Sequence, residues 1–172
     1  MNVQRLQSLF VVAMLLLTAT AAHAQQPPTA APAPAPPPPL YGPAITLEQA
    51  KKVMAGAEAE AVKNKWPVVI TILDSGGNIM MVQRLDNAQF GSVDISRDKA
   101  KSAVALRRPT KAFQDLIAQG GANLRLLNIG YSVLEGGIPI IVGGKVIGSI
   151  GVSGVTSQQD AQIAQAGIDA LK

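Results

Sequence analysis

The chain has 172 residues, enough for one domain, with 15 Lys+Arg against 11 Asp+Glu and a net charge of +4. It is 48% hydrophobic but only 3% aromatic, with no Cys and a single histidine, His23. Disulfides, thiolate metal sites and Cys nucleophiles are therefore excluded.

Residues 1–24 carry the pattern of a secretory signal peptide. Arg5 supplies the positive start, Leu9 to Leu17 is an unbroken apolar run, and Ala22-His23-Ala24 is a small-x-small cleavage site. The run is far short of the ~20 residues a spanning helix needs, and no later run approaches that length, so no membrane insertion is expected after cleavage. Cleavage after Ala24 sends the chain to a periplasm or to the medium and removes His23. His-based zinc sites, Ser-His-Asp triads and His-ligated haem then fall away, and no metal site is assigned. Residues 25–43 hold nine of the twelve prolines. They read as an extended linker that cannot join a sheet ladder, with Tyr41 packing onto the domain. The domain proper is 44–172.

Within it, Thr46 and Gln49 form a capping box for a helix over 46–64, with a stripe of Leu47, Ala50, Val53, Met54, Ala57 and Ala61. Val68–Leu73 and Ile79–Leu85 are strands joined by the Ser75-Gly76-Gly77-Asn78 turn, in which Asp74 serves the turn. Asp94–Arg108 reads as a helix broken by Pro109, and Thr110 as the cap of a helix over 111–119 that Gly120-Gly121 ends. Residues 122–136 are partly helical and partly loop. Ile138–Val142 and Lys145–Val152 form a second hairpin. Ser157 caps a last helix with Asp160 in its first turn, favourable to the helix dipole. The order α-β-β-α-α-x-β-β-α predicts the α+β class, an antiparallel sheet of about five strands flanked by helices in a profilin- or PAS-like layered sandwich. Gly148, Gly151 and Gly154 alternate faces of the last strand and point to close backbone approach there.

Several motifs in order resemble the GlcG/HbpS family of haem-degrading-domain proteins. They are Leu73-Asp74-Ser75-Gly76-Gly77, Arg84-Leu85-Asp86-Asn87-Ala88, Ser96 to Lys101, Arg108-Pro109-Thr110, Gly136-Gly137-Ile138-Pro139-Ile140 and Ile147 to Gly154. The resemblance spans essentially all of 45–172. It implies an antiparallel sheet flanked by helices and a homo-oligomer. In one branch it implies an extracytoplasmic protein that binds and degrades haem and signals to a membrane sensor. Other branches stand beside glycolate metabolism or are fused to corrinoid adenosyltransferases.

The local charge points to the same ligands. Arg97, Lys99, Lys101, Arg107, Arg108 and Lys111 face only Asp98 in the same stretch. Arg97, Lys101, Val104 and Arg108 share a helix face by spacing, and such cations suit haem propionates or a small organic acid. Arg84 and Asp86 are expected to line the pocket beside this helix, or else to form a turn with a local ion pair. Thr110 is by its own chemistry a helix cap. By the resemblance, its hydroxyl approaches a bound haem iron. Tyr131 as phenolate is the alternative, and Met54, Met80 and Met81 read as core filling. The expected function is an exported haem-binding protein that degrades or senses haem. Its rival is a non-catalytic module for a small acid such as glycolate. Nucleic acid is set aside, because the chain reads as exported and has few aromatic stacking platforms.

Overall fold

A computed structural model describes residues 36–172. The signal-peptide pattern at 1–24 and the first part of the proline-rich stretch lie outside the described residues. The end of that stretch does join the sheet: Leu40–Tyr41 (β1) pairs in parallel with the start of the last strand, Leu40 against Lys145 and Tyr41 against Val146. The expectation of a linker unable to enter a ladder fails here, because the Pro-free pair Leu40–Tyr41 retains the backbone donors that proline lacks. Tyr41 packs as expected, its hydroxyl donating to the carbonyls of Val104 at 2.9 Å and Ala105 at 3.1 Å.

The first helix, α1 (Leu47–Asn64), opens with the predicted capping box: Thr46 accepts from the Gln49 backbone N–H, and the Gln49 side chain accepts from that of Thr46. Ala50, Val53, Met54, Ala57 and Ala61 are buried, whereas Leu47, in the first turn, stays half exposed. β2 (Val69–Asp74) and β3 (Ile79–Arg84) form an antiparallel hairpin. At its turn Asp74 Oδ1 accepts from the backbone N–H of Gly76 and Asn78, both at 2.8 Å. α2 (Ser92–Leu106) ends earlier than expected, at Arg107, which turns left-handed with φ 53°. α3 (Lys111–Ala118) follows, then a 3-10 segment over Gly121–Asn128. β4 (Gly137–Val142) and β5 (Lys145–Ser153) make the second hairpin, and α4 (Ser157–Asp169) closes the fold. Its cap is Thr156 rather than Ser157, again in a capping box, with Gln159.

The result is the expected α+β architecture around one open five-stranded sheet. β5 is its centre. β2 runs antiparallel along residues 148–153, β4 takes the opposite edge, β1 takes the stretch that β2 does not reach, and β3 lies outside β2. One face carries the main core, where Ile70, Ile72, Ile140, Ile150 and Val152 meet α1 and α4. α2 lies on the other face over β5, β2 and β4 and leaves β3 largely uncovered. That contact is built from short side chains. Ser149 Oγ donates to the Ala100 carbonyl at 2.8 Å, Thr71 and Ser96 share a hydroxyl bond of 2.8 Å, and Gly151 lies directly under the backbone of Ser96 and Ala100. Gly148 and Gly154 meet backbone at Leu73 and Pro67 in the same way. The glycine spacing therefore reports close approach, as predicted.

Candidate functional site

The basic run is largely neutralised by the fold. Arg97 pairs with Asp94 at 3.1 Å, Lys111 with Asp115 at 2.8 Å and Lys99 with Asp160 at 2.7 Å. Arg107 lies over the Tyr41 ring, 5.1 Å from its centroid, and donates to the Pro39 carbonyl at 3.2 Å. Among the described residues, Lys101 and Arg108 are the members of the run with no acidic or aromatic partner. The predicted common face also breaks up. Val104 is buried, and Arg108 lies beyond the left-handed Arg107, off the helix.

What remains is a step between α2 and β3. Ile79, Val82 and Arg84 pair with Leu73, Thr71 and Val69, the β2 residues on the α2 side of the sheet. Since α2 stops short of β3, Ile79 stays 56% and Val82 44% exposed. Thr71 bonds Ser96, so Val82 is one strand out from α2 at that level. Val93, Arg97 and Lys101 recur every four residues along the side of α2 that ends in Val104, near the Gly77 turn of the hairpin. Phe90, 85% exposed, stands in the loop that joins β3 to α2. The step thus has an apolar floor, with cations on its wall and at its end. Composition gave no hint of Ile79 and Val82, because an apolar strand residue looks the same whether or not a helix covers it.

The other predicted residues go elsewhere. Asp86 is exposed and, with Glu58, Lys65 and Trp66, lines an open groove of about 470 Å³ on the α1 side of the β3 end. Arg84 and Asp86 do meet in a smaller hollow with Asn87, whose φ of 63° makes the turn, while Arg84 Nε donates to the Ala88 carbonyl at 3.0 Å. The turn reading holds for this pair, and no ion pair joins them. Tyr131 is half buried in the loop before β4, which pairs with β5 and not with β3. Thr110 takes the expected N-cap position of α3, but its hydroxyl goes elsewhere. It makes no side-chain cap bond. It is fully buried, accepting from the Gly137 N–H at 3.0 Å and donating to the Gly137 carbonyl at 3.3 Å. Its hydroxyl locks the entry of β4 and has no free side for a ligand.

The pairing of Lys99 with Asp160 was missed, although each residue was named separately from the sequence. Lys99 Nζ also donates to the Val152 carbonyl at 3.0 Å, and Asp160 Oδ1 accepts from the Val155 N–H at 3.2 Å. Burial pushes the Asp160 carboxyl up, and the Lys99 ammonium pulls it back only in part. The two residues stand 61 positions apart, and no local pattern links them.

A small α+β domain with one open sheet and helices on both faces is the class this geometry defines. Residues 45–169 match the family model described as haem degrading protein HbpS-like, and the chain belongs to that family. The GlcG/HbpS resemblance read from the motifs is confirmed. An uncharacterized 15.0 kDa protein from the dhaT-dhaS intergenic region of Citrobacter freundii is 42% identical over 128 residues, 73% of this chain and 90% of that one. A double mutant of Streptomyces reticuli HbpS has a similar structure, with TM-score 0.70 and 32% identity over 84% of this chain and 99% of that one. A PduOC:haem complex is similar at TM-score 0.68 and 29% identity, over 74% of this chain and 94% of that one.

Proposed function

We propose that this chain is an exported haem-binding protein that holds haem at the step between α2 and β3. The observation that carries the reading is the pair of exposed apolar residues Ile79 and Val82, on the face of the sheet where α2, the helix of Arg97 and Lys101, lies. A flat porphyrin covers such a floor by its face, and its propionates reach cations at the rim. The family match and the haem-bound relative support the choice of haem over other planar acids. Among the described residues there is no His or Cys, and Met80 and Met81 pack against the main core on the other face of the sheet, so the reading rests on face and edge contacts rather than on a strong axial donor. Bound haem would supply the redox chemistry of its own oxidative breakdown, with peroxide as co-reactant. The chain's residues orient it: Ile79 and Val82 exclude water from one face, and Lys101 and Arg97 fix the carboxylate edge. Export rests on the signal-peptide pattern at 1–24. Assembly into a homo-oligomer and contact with a membrane sensor rest on the family.

Hemin titration of residues 25–172, followed at the Soret band, tests this. The expected result is a saturable shift that Val82→Asp abolishes and that Lys101→Glu weakens about tenfold, the loss of roughly one charge-assisted contact. Thr110→Ala leaves the band position unchanged, and Tyr131→Phe moves it only if the phenol is the iron ligand. An unsaturable response in the parent chain, with thermal stabilisation by glycolate, would overturn haem in favour of a small-acid module.

A further inference from the structure

α2 carries the cations of the proposed surface, yet its apolar interlock is confined to its second half, where Ala100 and Val104 meet Leu73 and Val146. It offers Ser92, Ser96 and Ala100 to the sheet, which answers with Ser149, Gly151 and Ser153. Side chains this short let the helix sit deep, but they make few knobs to stop it sliding or rolling. Its place along the sheet is therefore set by polar bonds together with that one apolar cluster. Most of the polar bonds are hydroxyl contacts directly beneath the helix. Among the described residues, Lys99 alone reaches by a side-chain hydrogen bond from α2 to another helix. Its ammonium joins Asp160 in the first turn of α4 and the Val152 carbonyl near the end of β5.

This ammonium has no second choice of partner. A side chain added at Gly136 would stand 2.8 Å from Lys99 Nζ and 2.9 Å from Asp160 Cβ, so the space beside the pair is already closed. Several charged groups on the neighbouring elements are engaged elsewhere. Glu135 lies within 3.5 Å of the Gln114 amide, Lys111 and Asp115 pair on α3, and Glu60 of α1 accepts from Gln162 of α4.

We propose that the Lys99–Asp160 pair is a positioning device that fixes α2 on the sheet and thereby places Arg97 and Lys101 at the ligand surface. Its ligand consequence rests on the haem reading, whereas its mechanical part does not. Arg97 and Lys101 flank Lys99 in sequence and point away from the sheet, so a shift of the helix moves both cations together. Removing one partner would leave a lone buried charge and confound position with stability. The informative variant is therefore Lys99→Met/Asp160→Leu, which replaces the pair by apolar groups of similar size.

The test measures amide hydrogen exchange of the ligand-free protein, its melting temperature and its hemin affinity. Exchange across α2 is expected to rise about tenfold while β2 and β5 hold their protection, since local opening is read segment by segment. The melting temperature stays within a few degrees of the parent, and the hemin Kd rises about tenfold. A merely structural role would instead lower the melting temperature and leave the affinity of the folded fraction unchanged. Should the double variant fail to fold, Lys99→Gln/Asp160→Asn, which removes both charges together and keeps polar groups at both positions, is read the same way. Unchanged α2 exchange in the folded variant overturns the proposal. A parent chain that never saturates with hemin overturns the haem reading instead and leaves the exchange result to judge the pair.

Discussion

Gly151 shows how one missing side chain decides a layer of the fold. A Cβ there would run into the Ser96 carbonyl and the Ala100 N–H, both backbone atoms of α2. Backbone held on a sheet cannot yield as a flexible side chain can, so Gly151→Ala should cost at least the ~1–3 kcal/mol typical of overpacking. Chemical denaturation is expected to show a lower midpoint, with α2 the first element to lose protection. Thr110 teaches the opposite lesson. Its place after Arg108-Pro109 reads by its own chemistry as a helix cap, and it does stand at the N-cap of α3, but its hydroxyl caps nothing there. Its hydroxyl is taken by a backbone partner 27 residues away. Side-chain identity was legible in the sequence, but its partner was not.

Elements whose ends are set by neighbours in sequence were read almost to the residue. The capping box at Thr46 and the Asp74 turn each close within four positions, while the last helix was read one residue late, its capping box starting at Thr156 rather than Ser157. The Asp74 carboxyl shows the strength of its turn. Burial raises its pKa, but donation from Asn78, Gly76 and Gly77 outweighs this and holds it below 3.8. Because the folded value is depressed, its contribution to stability is present above 3.8 and fades as pH falls through the lower folded value. Asp74→Asn should therefore flatten the acid limb of the stability–pH curve, which urea melts at pH 3 to 6 would reveal as a smaller loss than in the parent. α2 was legible as a helix but not as to which face it exposes. The spacing of Arg97, Lys101 and Arg108 is helical, yet the left-handed turn at Arg107 and the sideways reach of Lys99 depend on contacts with β5 and α4.

The molecule as a whole matches the order of helices and hairpins drawn from periodicity, and its family was legible in motifs spread over the domain. The candidate surface was legible only in part. Arg97 and Lys101 stand where the charge run put them, while the apolar floor depends on which strand α2 leaves uncovered, a matter of register and layer that no single segment encodes. The domain also begins earlier than composition suggested. Removing residues 1–43 rather than 1–35 strips β1, the two Tyr41 hydroxyl bonds and the Arg107 stack. The melting temperature should then fall by about 5 °C or more, the scale of one to two kcal/mol in a domain this size. Equal melting of the two truncations would show that β1 adds nothing.

The same attachment sets a load path. The proline-rich arm enters the domain through β1, which lies alongside β5, and Arg107 and Tyr41 bind it to the end of α2. Tension on the arm is delivered first to these few bonds rather than to the sheet as a whole. The short ladder can peel like a fastener while the β2–β5 pairing behind it stays shut. A tethered chain of this build would thus yield at its hem before it yields at its centre, and the first part of α2 to feel the pull would be the end that holds Val104 and Ala105.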